Sequence, residues 1–347
     1  MTVNPVKWGI LGCANFARQQ ILPAMNETQT AEIAGVASRN LEKAKATAQA
    51  FGGQRTYGSY DELLADNDIE AVYIPLPNSL HAPWSIKALQ ARKHVLCEKP
   101  VALNASEAHA MEQEAKKAGC LLLEAFMYRF SPLVEKACEI VRSGQLGRIT
   151  SVHSAFSFVM DEASENVRLE PALGGGSLYD VGCYAVNVQR VVLGREPKSV
   201  SAKIAWSQNR KVDMSSSGIL DFGDDIIGTF FCGFNSAWGN SFAVCGTKGK
   251  LEAPRGFIGR DAANELILSE GSVSAQEMNL PHYIFDPPRE ERLKLEFKNP
   301  YVLMLDDFHN AIRNNVPARF GSEPLAANMK VIDACFESDK EGTAIAL

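Results

Sequence analysis

The stretch VKWGILGCANFA, from Val6 to Ala17, decides the fold. Its first six residues form a short apolar run, as a buried strand requires, and a helical pattern follows. Gly12, Ala14 and Ala17 stand at the small-residue positions of the fingerprint G-x-G-x-x-G/A, with Ala14 replacing the middle glycine. Small residues there let backbone N–H groups at a helix N-terminus approach a pyrophosphate. The stretch therefore predicts a strand, a turn and a helix that together bind a dinucleotide.

The same alternation of strand and helix continues to about residue 125. Further apolar runs predict strands at Glu32–Ala37, Ala71–Ile74, His94–Leu96 and Cys120–Ala125. Between them, Asn40 and Asn104 are typical helix N-caps, while Gly52 and Gly119 are typical helix ends. This spacing predicts an α/β domain built on a doubly wound parallel (Rossmann) sheet, to which we assign residues 1–127.

The rest of the chain, residues 128–347, shows a different pattern. Alternating runs predict strands at Ile149–Phe158, Val200–Trp206, Gly218–Phe222, Ser241–Cys245, Lys250–Ala253 and Glu265–Leu268. Asp221–Asp225 separates two of these runs as a hairpin turn would. We interpret Phe285–Lys298 as a loop or solvated edge and Leu325–Lys340 as a packed helix. We therefore expect an α+β domain with a mostly antiparallel open sheet. Such a sheet often pairs with its own copy, so we expect a homodimer or homotetramer.

Composition narrows the class of protein. The 347 residues are 46% hydrophobic and carry a net charge of −6, which argues against nucleic acid and anionic membranes as partners. No apolar run reaches the roughly 18 residues of a membrane span, and we expect no export segment at the N-terminus. Eight cysteines are scattered without a C-x-x-C pair, so we predict no metal site and a reduced, cytoplasmic protein.

The first chemical candidate is Lys99, in the sequence Cys97-Glu98-Lys99-Pro100. It directly follows a predicted strand, and ligands of open α/β sheets bind at the carboxyl ends of the strands. Pro100 stiffens the chain there. A lysine in this place can lie beside a bound cofactor ring, polarise a substrate carbonyl or lower the pKa of a neighbouring hydroxyl.

The second candidate group follows a glycine run, Gly174-Gly175-Gly176. Asp180 and Tyr184 are four residues apart, so on a helix they share one face. Reduction of a ketone by hydride requires one proton for the oxygen. Tyr184 would exchange that proton if Lys99 lowered its pKa from about 10. Asp180 would hydrogen-bond a substrate hydroxyl or the lysine.

The residues after the second strand predict the choice of cofactor. NAD-specific sites place an acidic residue there, whereas this chain has Ser38 and Arg39, followed by Lys43. A guanidinium suits the 2′-phosphate of NADP, so NADP is favoured over NAD. His81, Arg129 and Arg168 also stand at strand ends or at the domain junction, and we predict that they, like Lys43, contact the cofactor.

Taken together, these motifs resemble the Gfo/Idh/MocA family of oxidoreductases over nearly the whole chain. The residues that carry the resemblance lie in the segments Gly9–Ala14, Ala37–Arg39, Ile74–His81, Glu98–Pro100, Glu124–Phe130 and Gly174–Tyr184. Within the family, the chain most resembles the branch that contains dihydrodiol dehydrogenase, NADP-dependent D-xylose dehydrogenase and glucose-fructose oxidoreductase, because that branch carries a tyrosine at the place of Tyr184. The resemblance implies that Lys99 and Tyr184 are the catalytic pair and that Asp180 supports the substrate. It implies cofactor contacts at Gly12, Ala14, Asn15, Phe16, Ser38, Arg39, Leu76, Asn78, His81 and Glu98.

We therefore expect an NADP-dependent enzyme that moves hydride between nicotinamide and a CH–OH or C=O carbon of a sugar, polyol or cyclic diol. Two alternatives stay open at this point. One is a sugar–sugar oxidoreductase that keeps its NADP bound through the cycle. The other is a non-catalytic regulator that senses NADP or a sugar; the presence of both Lys99 and Tyr184 argues against it, since a sensor needs neither.

Overall fold

A computed structural model describes residues 4–258, 264–271, 289–321 and 324–347. In its first part the strands are β1 Val6–Leu11, β2 Ala31–Ala37, β3 Arg55–Tyr57, β4 Ala71–Ile74, β5 His94–Cys97 and β6 Leu122–Glu124. The helices of this part are α1 Asn15–Gln19, α2 Ile21–Glu27, α3 Leu41–Phe51, α4 Tyr60–Leu64, α5 His81–Gln90 and α6 Ala105–Ala118.

These strands form one sheet in the order β3-β2-β1-β4-β5-β6, and all of its pairs are parallel. The strand order reverses between β1 and β4, which is where a doubly wound sheet opens a crevice for a ligand. The predicted Rossmann sheet is thus confirmed. Two details differ: the short β3 was not predicted, and the helix after β1 is divided at Gln20 into α1 and α2.

The helix ends follow the sequence signals. The Asn40 side chain accepts a hydrogen bond from the Lys43 backbone N–H, and Gly52 ends α3 in the left-handed conformation at φ +77°. Asn104 and Gly119 do the same for α6. These caps satisfy backbone groups that the helix itself leaves unpaired, so they fix where the loops at the strand ends begin.

In the second part of the described chain the helices are α7 Pro132–Ser143, α8 Cys183–Leu193, α9 Pro300–Asn314 and α10 Leu325–Glu341, and a π-helical turn, Leu178–Gly182, precedes α8. The strands are β7 Ile149–Val159, β8 Ser199–Trp206, β9 Asp213–Asp221, β10 Ile227–Gly233, β11 Asn235–Gly246, β12 Gly249–Ala253, β13 Glu265–Glu270, β14 Arg289–Lys294 and β15 Ile345–Ala346. The strands form a sheet in the order β14-β13-β12-β11-β7-β10-β9-β8-β15. Only β7 and β10 among the described pairs are parallel, so the mostly antiparallel sheet is confirmed.

Two local predictions in this sheet can be compared with the structure. The turn at Asp221–Asp225 does join an antiparallel pair, β9 and β10. Part of the stretch interpreted as a loop or solvated edge forms β14, an exposed strand at the sheet edge, because its residues pair with β13. Residues 285–288 of that stretch lie outside the described residues.

The predictions from composition concern thiols and membrane spans. All eight cysteines are free thiols, and four of them are buried. None of the helices within the described ranges combines the length and the apolar composition needed to cross a lipid bilayer.

Helix α9 returns from the second part of the chain and packs on the first. The Phe308 ring lies 5.5 Å from that of Trp8 on β1, and the Trp8 indole N–H donates to His309 Nε2 at 2.8 Å. Phe308 and Trp8 are both fully buried. Burial of this aromatic pair fixes the position of α9 against the parallel sheet.

Replacing Phe308 by alanine should therefore lower the free energy of unfolding by about 3–5 kcal/mol, because the change leaves a cavity under β1. Urea denaturation checks this, with Phe297→Ala as the control. Phe297 is 37% exposed, so its removal should change stability by less than about 0.5 kcal/mol. Equal effects of the two variants would contradict the packing described here.

Candidate active site

A cavity of about 390 Å³ opens at the carboxyl ends of β1, β4 and β5, where the strand order of the parallel sheet reverses. Its lining combines loops of the first part with a loop of the second. The lining residues are Ala14, Asn15, Phe16, Pro75, Leu76, Pro77, Asn78, His81, Glu98, Lys99, Glu165, Asn166, Val167, Arg168, Leu173, Gly174, Gly175, Gly176 and Asp180. The two parts of the chain therefore build one site.

The edge of the cavity formed by β1 and α1 fits a dinucleotide. Gly12 has φ +114°, which favours glycine, and a Cβ there would lie 3.0 Å from Leu76 Cδ2. Helix α1 begins at Asn15, and no side chain within the described residues caps its first turn. Its first backbone N–H groups are thus available to phosphate oxygens.

The residues predicted to select NADP lie beside this edge, at the end of β2, and do not line the cavity. Ser38 is buried and its hydroxyl accepts a hydrogen bond from the Asn40 N–H at 3.2 Å. The Arg39 side chain is exposed. Lys43 lies close to the fingerprint, since its main-chain carbonyl accepts a hydrogen bond from the Cys13 thiol at 3.5 Å. In a doubly wound sheet that binds a dinucleotide, the adenosine ribose lies at the end of the strand next to β1, which here is β2.

The most prominent polar contact in the cavity joins Lys99 to Asp180. The Lys99 Nζ donates to Asp180 Oδ1 and to the Asp180 main-chain carbonyl, both at 2.8 Å. The Arg168 Nε donates to the other carboxylate oxygen, Oδ2, at 2.7 Å. Asp180 therefore lies between two cations, one from each part of the chain, and the sequence prediction that it meets the lysine or a substrate hydroxyl fits this geometry.

The local fold around the glycine run explains how Asp180 reaches Lys99. Asp180 belongs to a π-helical turn rather than to α8, and no sequence signal predicts this turn. The buried Asp213 carboxylate accepts hydrogen bonds from the Ser177 hydroxyl at 2.7 Å and the Leu178 N–H at 2.6 Å, which anchors the start of that turn. Gly176, at φ +123°, packs so closely on Asp213 that a Cβ would overlap its Oδ1.

Charge pairing sets the protonation of both partners. Burial disfavours the Lys99 ammonium, but the adjacent Asp180 carboxylate more than offsets this and holds the pKa of Lys99 above its ordinary value. Burial likewise disfavours the Asp180 anion, yet Arg168 and Lys99 hold the pKa of Asp180 well below its ordinary value. The ion pair is therefore charged throughout the physiological pH range.

Tyr184 lies close to this pair but differs from the expectation in one respect. The Lys99 Nζ is 5.2 Å from the centre of the Tyr184 ring, so the structure brings the two side chains together. The ring is buried among Phe126, Tyr128 and Phe156, and its hydroxyl donates to Met127 Sδ at 3.7 Å. Burial raises the pKa of this phenol well above 10, which is opposite to the predicted lowering by Lys99.

The other predicted cofactor residues line the cavity in defined positions. His81 is fully buried, with Nδ1 and Nε2 each 2.7 Å from a carbonyl oxygen, those of Pro100 and Leu76. Burial lowers the pKa of His81 to about 4. Glu98 accepts a hydrogen bond from the Tyr73 hydroxyl at 2.7 Å. The Asn78 amide donates to the Gly174 carbonyl at 2.8 Å, which ties the two parts of the cavity wall together.

Tyr184 lies behind Lys99 and is not among the residues that line the cavity, and the predicted residue Arg129 does not line it either. The position of Arg129 is fixed by other contacts. Its guanidinium lies over the rings of Phe126 and Phe320 and donates to Asn187 Oδ1 at 2.8 Å, away from this cavity. Conversely, the segment Glu165–Val167 lines the cavity and was not predicted. Its only sequence signal is its position just before Arg168 and the glycine run.

Fold and cavity together define a dinucleotide-dependent oxidoreductase. A model described as "Oxidoreductase family, NAD-binding Rossmann fold" matches residues 6–126. A model of the GFO/IDH/MocA C-terminal domain matches residues 134–252. The chain belongs to the Gfo/Idh/MocA family, which confirms the predicted family and the prediction of an oxidoreductase.

Individual relatives are similar over nearly their whole length. D-xylose 1-dehydrogenase (NADP(+)) 2 of Haloferax volcanii is 37% identical over 98% of this chain and 99% of its own. A 3-ketoreductase from Actinomadura kijaniata, solved with NADP and TDP-benzene, has a TM-score of 0.86 and 28% identity, covering 96% of this chain and 98% of its own. An aldose-aldose oxidoreductase from Caulobacter crescentus, solved with glycerol, has a TM-score of 0.86 and 27% identity, covering 99% of this chain and 100% of its own.

One buried carboxyl group beside the site gives a pH prediction. Glu124 is the last residue of β6. Its Oε1 accepts a hydrogen bond from the Val101 N–H at 2.9 Å, and its Oε2 has no hydrogen-bond partner within the described residues. Burial raises the pKa of Glu124 to about 7. The folded protein thus holds this proton more tightly than the unfolded chain, so stability is lost as the pH rises from about 4.5 to about 7.

Glu124→Gln should remove that loss, because an amide keeps the acceptor for Val101 and carries no titrating proton. Between pH 5 and 8 the free energy of unfolding should fall in the wild type by about 3 kcal/mol more than in the variant. Urea denaturation at several pH values measures the difference. Parallel pH curves for the two proteins would contradict the assignment.

Proposed function

We propose that this protein is an NADP-dependent oxidoreductase that transfers hydride between nicotinamide and a CH–OH or C=O carbon of a sugar, polyol or cyclic diol. One observation carries the proposal: the Lys99 ammonium, which lines the cavity at the switch point of the parallel sheet, lies 5.2 Å from the ring centre of Tyr184 from the other part of the chain. Residues 1–127 would hold the cofactor, and residues 128–347 would bind the substrate.

NADP is the cofactor in this proposal, and the chain's own residues fit it. The turn at Gly12 and the uncapped start of α1 are suited to the pyrophosphate, while Arg39, Ser38 and Lys43 at the end of β2 are suited to the 2′-phosphate. The Haloferax and Actinomadura proteins, by their names, use or bind NADP.

In the direction of reduction, Tyr184 would give the proton and Lys99 would stabilise the charge. When bound, the reduced cofactor supplies the hydride for the carbonyl carbon. The high pKa of the Tyr184 phenol keeps its proton in place until a substrate oxygen acquires negative charge. Its present acceptor, a thioether sulfur, is weak, so a substrate oxygen would compete well for this hydroxyl.

Lys99 and Asp180 complete the arrangement. The ammonium would donate to the same developing oxyanion, which is favourable in a site shielded from water. Asp180 would hold the lysine in place and accept a hydrogen bond from a substrate hydroxyl. In the reverse direction, Tyr184 must take up a proton, which requires the charge of Lys99 to act on the phenol rather than on Asp180 alone.

A second candidate is a sugar–sugar oxidoreductase that retains its NADP. The similarity to the Caulobacter aldose-aldose oxidoreductase favours it. The two candidates differ in whether NADP(H) co-purifies with the protein and whether two sugars exchange hydride without added cofactor.

We also propose that the open face of the antiparallel sheet pairs with a second copy of the chain, in a dimer or tetramer, and that the enzyme is cytoplasmic. Ile219 and Ile227 point outward on this face from neighbouring strands and are about half exposed. Burial of such side chains favours association. The free thiols suit a reducing compartment.

Lys99→Met and Tyr184→Phe should each lower kcat by about 10²-fold or more, because each removes a group acting on the reacting oxygen. The affinity for NADP should change little. NADPH absorbance with an aldose and diol panel measures kcat, and fluorescence titration measures NADPH binding.

Two variants control for the chemical change alone. Lys87→Met removes a surface lysine paired with Asp61, and Tyr179→Phe removes a hydroxyl bound to the Leu103 carbonyl. Both should keep near-normal turnover. Normal turnover by Lys99→Met would refute the mechanism.

Arg39→Ala should raise the KM for NADP roughly 10- to 100-fold, since hydrogen bonds to charged groups contribute most. The KM for NAD should change little, because NAD lacks the 2′-phosphate. Arg92→Ala, at another exposed arginine, is the control. A parallel loss of both cofactors would show that Arg39 does not select between them.

A further inference from the structure

Arg168 lies at the mouth of the cavity with only part of its guanidinium engaged. Its Nε donates to Asp180 Oδ2 at 2.7 Å, whereas Nη1 and Nη2 have no hydrogen-bond partner among the residues that the structure describes. The side chain is 36% exposed and lines the cavity. A guanidinium has five N–H donors, so about four remain for a ligand.

The backbone of Arg168 is held firmly enough to aim those donors. The Asn166 side chain accepts the Arg168 N–H at 3.0 Å, and the Arg168 carbonyl accepts the Gly176 N–H at 2.9 Å. A Cβ at Gly175 would lie 2.6 Å from the Arg168 carbonyl oxygen, so only glycine allows this packing. The ion pair with Asp180 then fixes the plane of the guanidinium.

The charges of the lining suit an uncharged ligand. The charged lining residues are Glu98, Lys99, Glu165, Arg168 and Asp180. Each of the two cations in this group is already paired with Asp180. The formal charges of these five residues sum to −1, so a carboxylate or phosphate on the substrate would lose its water without meeting a net positive charge. Hydroxyl groups can accept hydrogen bonds from Nη1 and Nη2 without that cost.

We propose that Arg168 is a specificity-determining residue, whose two terminal nitrogens donate to a hydroxyl oxygen of an uncharged polyol, other than the oxygen that reacts. This deepens the proposed function and rests on it. The sequence places Arg168 among the cofactor contacts, whereas this inference assigns its free donors to the substrate. Asp180 then links the two sites, since Lys99 bonds one of its oxygens and Arg168 the other.

Arg168→Lys tests the role because lysine keeps a positive charge next to Asp180 but loses the fork of donors. We expect the KM for D-xylose or D-glucose to rise roughly 10- to 100-fold, with kcat and the KM for NADP little changed. The penalty should vanish for one of the 2-deoxy, 3-deoxy and 4-deoxy analogues, the one that lacks the bound hydroxyl. Wild-type enzyme should also use D-glucuronate less well than D-glucose.

Arg195→Lys is the matched control. Arg195 is 33% exposed and pairs with Asp224 at 2.7 Å, outside the cavity. This variant should behave as wild type with every sugar. Suppose that the wild type turns over the aldoses, but the KM values of Arg168→Lys match those of Arg195→Lys or rise equally for every deoxy analogue. The inference is then overturned, and the proposed function stands. If wild type turns over no sugar or diol, both are overturned.

Discussion

The contact on which the site depends is the pair of hydrogen bonds from the Lys99 ammonium to Asp180. The lysine leaves the parallel sheet at the end of β5, and the aspartate comes from the π-helical turn before α8. Both side chains are almost completely buried. A buried charge separated from its partner is costly, so the pair strongly favours one relative placement of the two parts of the chain. The cavity exists because that placement leaves space beside the pair.

The same pair explains the electrostatics of the neighbouring groups. Asp180 engages the charge of Lys99, which leaves burial as the dominant influence on the Tyr184 phenol, and its pKa rises. Arg168 bonds the second carboxylate oxygen, and with Glu98 and Glu165 included the formal charges of the cavity lining sum to −1. A site of this kind holds its proton at Tyr184 and its positive charge at Lys99 ready for a substrate oxygen, without attracting anions in general.

Much of this arrangement follows from the sequence, because strand ends and glycine runs are local signals. The strand before Lys99, the caps at Asn40 and Asn104, and the spacing of Asp180 from Tyr184 all lie within short segments. What the sequence missed depends on contacts between distant segments. The π-helical turn is anchored by Asp213, 36 positions from Ser177. Arg129 is held by the Phe320 ring and the Asn187 amide of the second part rather than by the cavity. Burial, which sets the pKa of Tyr184, is likewise a property of the assembled aromatic cluster.

The central claim is that Lys99 and Tyr184, from separate parts of the chain, act on one substrate oxygen. A crystal structure of the ternary complex with NADP and a turned-over polyol tests it most directly. The account predicts that the Lys99 Nζ and the Tyr184 hydroxyl both lie within about 3.2 Å of the reacting oxygen, with Tyr184 released from Met127. A complex in which the reacting oxygen meets neither group, or in which Tyr184 keeps its contact with the sulfur, would contradict it.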